Sequence, residues 1–325
     1  MQPPRFWYRP PGLRSTLLSP LGAIYAAGTA RRLAKGTPLK LGVPVICVGN
    51  INAGGTGKTP TVIALAQRLQ EMGHTPHIVS RGYGGSVTSA VQVNERIHRA
   101  ADVGDEPLLL AAFAPTWVSP DRSQGGKLAV QSGADAIILD DGFQNPALHK
   151  DLAIVVVDAS RGFGNGKVLP AGPLREPIET GLSRADLLLS IGPKKAQSHF
   201  MQTWGRPPCP HLQGHLTPLQ TGMDWQGSRV LAFAGIGHPQ KFFATVQELG
   251  AELVKSEALE DHQPLSQALM TRLESEARLL GAQLVTTEKD ATRLPDEFRA
   301  KVLAVPVRLE IEDWSALDTA LTRLF

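Results

Sequence analysis

The chain has 325 residues and a formal net charge of +3, with 42% hydrophobic and 19% charged residues. This composition excludes a disordered chain and predicts a folded protein of about two domains. The two cysteines, Cys47 and Cys209, are far apart and offer no metal-binding spacing. Cys47 lies in an apolar run, so we expect a buried thiol in a reducing compartment.

Basic residues are concentrated at the N-terminus. Residues 1–70 contain nine Lys or Arg and no acidic residue, whereas the remaining 255 residues carry 24 basic and 30 acidic groups. Such a block predicts an anionic partner: nucleic acid, lipid headgroups or a phosphorylated substrate.

The first predicted element is a helix over residues 15–35. Pro20, Gly22 and Gly28 interrupt its apolar part, which is too short to span a membrane. It lacks the small-residue cleavage site of a secretory signal. From spacing alone, two interpretations remain: a helix lying on a membrane surface, or a helix packed on the domain with a solvated basic end.

A strand–loop–helix pattern follows. The apolar run 43–48 enters a Gly-rich turn that leads into a helix at Lys58 and Thr59. Glycines let backbone N–H groups surround phosphate oxygens, Lys58 would reach the terminal phosphates, and the Thr59 hydroxyl would bind Mg²⁺. We therefore predict a nucleotide phosphate loop made of Asn52, Ala53, Gly54, Gly55, Thr56, Gly57, Lys58 and Thr59. Asn52 replaces the usual glycine, and we expect it to tolerate left-handed backbone angles.

Strands alternate with helices after this loop. Strands are predicted at 75–80, 116–119, 134–139, 152–157 and 186–191, with helices at 108–113 and 122–132. This alternation predicts a P-loop NTPase-like α/β fold with a doubly wound, mostly parallel sheet.

A second, smaller α/β unit is predicted after the Pro- and Gly-rich stretch 162–226. It has strands at 229–234 and 283–287 and helices at 239–249 and 264–280. We therefore divide the chain into an N-terminal basic amphipathic segment (1–40), a phosphate-loop domain (41–215) and a C-terminal α/β domain (216–325).

Acidic residues follow two of the predicted elements. Asp140 and Asp141 close a strand expected beside the phosphate-loop strand, where NTPases hold Mg²⁺. Asp105 and Glu106 open a helix, where an acid is often only a cap, although this edge could also face the phosphates. His262 presents the same ambiguity, since a single histidine is usually structural. No HExxH or CxxC occurs, which argues against zinc.

Together these segments resemble the tetraacyldisaccharide 4′-kinase family, also called lipid A 4′-kinase. The resemblance covers nearly the whole chain, in order, at residues 49–51, 54–60, 80–84 (SRGYG), 104–107 (GDEP), 140–144 (DDGFQ), 170–177, 261–262 (DH) and 286–291 (TTEKDA).

The resemblance implies transfer of a phosphoryl group from ATP, with Mg²⁺, to the 4′-hydroxyl of a tetraacylated glucosamine disaccharide 1-phosphate. It implies that Asp105 and His262 act together on that hydroxyl, and a carboxylate base oriented by histidine fits this chemistry. Lys58 is the third catalytic residue, and Mg²⁺ would lie near Thr59, Glu106, Asp140 and Asp141. The expected substrate-binding residues are Arg81, Tyr83, Gln144 and Arg175.

The implied partners are the lipid A precursor and the anionic cytoplasmic face of the inner membrane, with no nucleic acid. This favours the membrane interpretation of residues 1–40. One departure is Asn145, which stands where a histidine often follows the DDGFQ motif.

Two other functions agree less well with the sequence. A P-loop GTPase or ATPase switch, or a metal-insertion GTPase, would need a guanine-reading Asn-Lys-x-Asp, and the sequence contains none. A soluble small-molecule kinase or ligase would leave the basic, aromatic N-terminus unexplained.

Overall fold

The computed structural model describes residues 3–325, so residues 1 and 2 of the predicted N-terminal segment lie outside it. The strands are β1 (Val45–Gly49), β2 (Pro76–Ser80), β3 (Val91–Gln92), β4 (Thr116–Val118), β5 (Ala136–Asp140), β6 (Leu152–Asp158), β7 (Leu187–Ile191), β8 (His211–Pro218), β9 (Arg229–Ala234), β10 (Glu252–Ala258), β11 (Gln283–Thr287), β12 (Val302–Val305) and β13 (Val307–Ile311). The helices are α1 (Leu13–Lys35), α2 (Lys58–Glu71), α3 (Ala100–Val103), α4 (Asp105–Leu110), α5 (Arg122–Gln131), α6 (Ile178–Leu182), α7 (Lys194–Trp204), α8 (Pro239–Glu248), α9 (Gln267–Leu279), α10 (Glu288–Ala291), α11 (Asp296–Arg299) and α12 (Ser315–Thr322).

The larger sheet of the described residues has nine strands in the order β13-β8-β7-β6-β1-β5-β2-β4-β3. Its strands are parallel except at the two edges, where β13 pairs antiparallel with β8 and β3 with β4. Side chains of β1 alternate between two cores: Ile46 and Val48 pack in the core that includes α2, and Val45 and Cys47 pack in the opposite one. The predicted doubly wound, mostly parallel sheet is confirmed.

Cys47 is fully buried, as expected, and burial raises the pKa of its thiol to about 12.

The smaller sheet has the order β10-β9-β11-β12, and all its pairs are parallel. Leu231 and Phe233 of β9 pack with α9, whereas Val230 and Ala232 pack with α8, so this sheet too is covered on both faces. The second, smaller α/β domain expected from the sequence is present.

The limits drawn for the domains, 41–215 and 216–325, stay a prediction. The 215/216 division falls inside β8, and β13 with α12 lies on the larger sheet because β13 pairs with β8. Leu309, Ile311, Leu317 and Leu321 are buried in the larger core. The smaller sheet therefore occupies residues 229–305, which in the sequence fall between β8 and β13 of the larger sheet.

Helix α1 packs on the first domain through small residues, and its large apolar side chains are exposed. Ser15, Gly22 and Thr29 are its buried residues, and a Cβ at Gly22 would lie 2.9 Å from the Val168 carbonyl oxygen. Its exposed large apolar residues are Leu13, Leu17, Leu21, Ile24 and Tyr25. No helix among residues 3–325 is long and apolar enough to cross a membrane.

Candidate active site

The phosphate loop lies between β1 and α2, at the carboxyl edge of the larger sheet. Positive φ angles at Gly54 (+110°) and Gly57 (+96°) turn the chain into the helix that begins at Lys58. The Asn50 amide donates to the Gly54 carbonyl at 3.2 Å and to the Thr56 hydroxyl at 3.1 Å. The loop is thus braced from within, with Lys58 and Thr59 in the first turn of α2.

Asn52, expected to tolerate left-handed backbone angles, does not adopt a positive φ. Asn52 forms an isolated bridge with Leu174, and its amide donates to the Gly162 carbonyl at 3.0 Å. The next residue, Ala53, donates its backbone N–H to Pro173 at 2.6 Å. Asn52 fits without glycine because this start of the loop is extended, and the left-handed turns come later.

Asp140 ends β5, opposite Val48 of β1, and is 2% exposed. Its Oδ2 accepts a hydrogen bond from the Ser80 hydroxyl at 3.0 Å, but its buried Oδ1 has no hydrogen-bond partner. Burial, followed by the charges of Glu106 and Asp141, raises the pKa of Asp140 to about 7. A buried, unpartnered carboxylate oxygen beside a phosphate loop fits a hard cation such as Mg²⁺.

Asp141 adopts a positive φ of 53° and is held by cations. Arg175 donates to both carboxylate oxygens, at 2.9 and 3.3 Å, and Lys58 lies 3.9 Å from Oδ1. Burial alone would raise the pKa of Asp141, but the charges of Lys58 and Arg175 outweigh it and lower that pKa. Arg122 donates to the Asp141 carbonyl at 2.9 Å, so both ends of this residue are fixed.

Among residues 3–325 no three His, Cys, Asp or Glu side chains converge as a ready-made metal site. A Mg²⁺ ion bound at Asp140 would therefore need further oxygens, such as the Thr59 hydroxyl, phosphates and water, as is usual for Mg²⁺ bound with nucleotides.

The residues predicted to bind the acceptor are distributed around one cavity of about 940 Å³. Tyr83 is 71% exposed, and Arg81 lines the same wall. Gln144 is held in place, because its amide donates to the Asn50 carbonyl at 2.8 Å and to Glu176 at 2.9 Å. Arg175 lines the cavity while paired with Asp141.

The cavity extends from the phosphate loop and its carboxylates to Tyr25, Thr29 and Arg32 of α1. Apolar side chains of both domains also line it, including Ile191, Leu216, Phe242, Val305 and Val307.

Asp105 and His262 meet across the two domains. Asp105 is at the start of α4, and His262 follows β10. The Asp105 Oδ2 lies 2.9 Å from the His262 Nδ1. The residue before α4 is Gly104, with φ of +91°, so Asp105 is its first helical residue rather than its cap. Its Oδ1 accepts the backbone N–H of Glu106 at 2.9 Å, so binding to the helix N-terminus accounts for one carboxylate oxygen, and Oδ2 of this 4% exposed residue is left for His262.

The pair shifts both pKa values. Burial would raise the pKa of Asp105, but the hydrogen bond from His262 and the charges of Lys289 and Arg293 lower it below its usual value. The hydrogen bond to Asp105 raises the pKa of His262 despite partial burial. A carboxylate partner requires a proton on Nδ1, which leaves Nε2 as the ring atom that can accept a proton.

Two cations at this site were not predicted from the sequence. Lys289 Nζ lies 2.9 Å from Glu106 Oε1, 3.5 Å from His262 Nε2 and 3.9 Å from Asp105 Oδ2. Arg293 Nε lies 3.5 Å from Asp105 Oδ2. The only signal was the segment 286–291 of the resemblance, to which no role had been assigned.

Comparisons with known proteins show which proteins the chain is similar to. A family model described as tetraacyldisaccharide-1-P 4′-kinase matches residues 14–325. The tetraacyldisaccharide 4′-kinase of Jannaschia sp. (strain CCS1) is 63% identical over 100% of this chain and 99% of its own length. That of Dinoroseobacter shibae is 62% identical over 100% of this chain and 98% of its own. The crystal structure of LpxK from Aquifex aeolicus in complex with ATP superposes with a TM-score of 0.78 at 28% identity, covering 97% of this chain and 100% of that one.

Proposed function

The chain belongs to the tetraacyldisaccharide-1-P 4′-kinase family, and from this premise we propose how its residues transfer the phosphoryl group. It is an ATP-dependent kinase of lipid A biosynthesis that phosphorylates the 4′-hydroxyl of a tetraacylated glucosamine disaccharide 1-phosphate. The observation that carries the assignment of roles is the contact of 2.9 Å between Asp105 and His262, made across two domains beside a phosphate loop.

The ATP phosphates would bind the backbone of residues 54–59 and Lys58, at the N-terminus of α2. Mg²⁺ would be held by the orphaned Asp140 oxygen and the Thr59 hydroxyl, with Glu106 nearby, and would neutralise charge on the phosphates. The adenine would bind the apolar part of the cavity lining, which includes Ile191, Phe242 and Val307. Both domains would then contact the nucleotide.

We propose His262 as the general base and Asp105 as the residue that orients it. This reverses the carboxylate base expected from the sequence, and the support is the geometry. Asp105 is buried and surrounded by cations, and its contact with Nδ1 leaves Nε2 as the ring atom that can accept a proton. The 4′-hydroxyl gives its proton to Nε2 as its oxygen bonds to the γ-phosphorus. The bond from that phosphorus to the β–γ bridging oxygen breaks, and ADP leaves.

The acceptor would enter along the wall formed by Arg81, Tyr83 and Gln144, from the end of the cavity that reaches α1. We propose that α1 lies on the anionic cytoplasmic face of the inner membrane, because its leucines are exposed and its last turn is basic. The acylated acceptor would then stay at the membrane while its sugar reaches the dyad.

The test is transfer of ³²P from [γ-³²P]ATP to the tetraacylated disaccharide 1-phosphate, followed by thin-layer chromatography. The wild-type protein should label the disaccharide, and Lys58→Ala should not, because the ammonium of Lys58 would place positive charge on the phosphates. An acceptor with a 4′-O-methyl group gives the matched control. Label released only as inorganic phosphate, or equal labelling of the methylated acceptor, would overturn the proposed function.

A further inference from the structure

The second domain places the ammonium of Lys289 beside the dyad and beside Glu106 of the first domain. Lys289 lies in α10, directly after β11, and its side chain is 17% exposed. Its closest partner is Glu106 of the first domain at 2.9 Å, and its nearest second-domain side-chain atom is His262 Nε2 at 3.5 Å.

The neighbouring cation, Arg293, is differently placed. Arg293 pairs with Asp290 of its own domain and donates to the Gln263 carbonyl at 2.7 Å and the Gly235 carbonyl at 3.2 Å. Those contacts fix the loop that carries His262, whose backbone N–H donates to Gly235 at 3.2 Å. Arg293 is therefore a structural brace, whereas the ammonium of Lys289 depends on groups that face the cavity.

The position of Nζ relative to the base is informative. A hydroxyl that donates to Nε2 stands about 3 Å from it, and Nζ is 3.5 Å from the same ring atom. Nζ and the attacking oxygen would thus both lie next to His262 Nε2, on the side where Glu106 lines the cavity. A cation there lies beside the bond that forms to phosphorus.

We propose that Lys289 is a catalytic residue, a second phosphate-binding lysine that the second domain delivers to the transferred phosphoryl group. The inference rests on the proposed function. As the acceptor oxygen bonds to phosphorus, its proton passes to His262 Nε2 and the bond to the ADP oxygen breaks. The three equatorial phosphoryl oxygens carry negative charge throughout, and Nζ donates to one of them. Lys58 acts from the phosphate loop and Lys289 from the opposite side.

A purely structural role would be to tie the domains together, and the chain offers a matched control for it. Arg99, just before α3 of the first domain, makes an ion pair of 3.1 Å with Asp296 of the second, and neither residue lines the cavity. Lys289→Met and Arg99→Met each remove one cation that joins the same two domains. Only Lys289 lies beside the dyad.

The experiment compares Lys289→Met, Lys289→Arg and Arg99→Met with the wild type. We expect Lys289→Met to lower kcat by about 10²–10³-fold, the loss typical of one transition-state donor, with a melting temperature close to that of the wild type. Lys289→Arg should recover part of kcat, since a cation returns. Arg99→Met should change kcat by less than about threefold, as expected of an exposed ion pair away from the cavity.

A binding measurement provides a second readout. Aluminium fluoride with ADP mimics the transferred phosphoryl group, so Lys289→Met should lose affinity for ADP with aluminium fluoride by about tenfold or more while keeping its affinity for ADP alone. An affinity of Lys289→Met for ADP with aluminium fluoride equal to that of the wild type, or a kcat no lower than that of Arg99→Met, would overturn the inference. A wild type that labels no disaccharide would overturn the proposed function instead, and the aluminium fluoride comparison would still decide the role of Lys289.

Discussion

At the scale of single residues, the role of each side chain depends on which of its atoms is already hydrogen-bonded to another residue. Asp105 and His262 were predicted as a pair because their motifs are recognisable in the sequence. The assignment of base and orienter could not be predicted, since it depends on Asp105 being buried and the Nδ1 contact being made. Lys289 was missed because its partner, Glu106, is 183 residues away on the other domain.

The first prediction separates orientation from packing at Asp105. Asn can keep the shape but cannot stabilise an imidazolium, so Asp105→Asn should fold normally while kcat falls by roughly 10²–10⁴-fold. His262→Ala should lower kcat similarly, and the double variant should be far less than multiplicatively worse, since the two residues act as a unit. Steady-state kinetics and thermal unfolding measure both. Near wild-type turnover in Asp105→Asn, or strictly multiplicative losses, would refute the dyad.

The second prediction follows from the raised pKa of His262. A base must be neutral to accept a proton, so activity should be lost as the pH falls through a pKa above its ordinary 6.5. In Asp105→Asn that midpoint should move to lower pH, because the carboxylate that favours the charged imidazole is gone. The pH profile of kcat/KM measures this. An unchanged midpoint in the variant would mean that another group titrates.

At the scale of elements, predicted helices and strands matched where the apolar pattern is strong, as in β1, β6, β9 and α2. The strand β8 was missed because its Gly, His and Pro residues give no clear pattern, and its pairing with β7 and β13 decides its structure. For α1, one face packs on the first domain and the leucines of the other are exposed. The membrane interpretation of that exposed face stays a prediction.

The third prediction concerns that exposed face. Leu17→Glu with Ile24→Glu should weaken binding to vesicles containing anionic lipid, and added salt should weaken binding of the wild type. Co-sedimentation measures both. These substitutions are preferable to deleting residues 1–40, because Gly22 and Gly36 pack closely on the first domain. Leu279→Glu is the matched control, at an 88% exposed leucine of α9. Equal binding by the α1 variant and this control would refute membrane docking by α1.

At the scale of the whole molecule, the second domain is an insertion between β8 and β13, two neighbouring strands of the larger sheet. The last residue of β8, Pro218, is in register with Val307 of β13, and Leu219 donates its backbone N–H to Pro306 at 2.9 Å. Beyond this point, Leu309, Ile311, Leu317 and Leu321 complete the larger core. Burying four such side chains contributes roughly 1.5–3 kcal/mol each, which is comparable with the whole stability of a domain, about 5–15 kcal/mol.

The fourth prediction therefore compares two ways of removing the second domain. Replacing residues 220–305 by Asn-Gly should leave a folded first domain, because a two-residue hairpin suits two strands already paired antiparallel. Ending the chain at residue 215 should instead give an insoluble or molten product, since β13 and α12 are lost with their buried side chains. Circular dichroism with thermal melting distinguishes the two. The hairpin variant should transfer no phosphoryl group, since it lacks His262 and Lys289. A chain ending at 215 that unfolds as cooperatively as the hairpin variant would restore the boundary expected from the sequence.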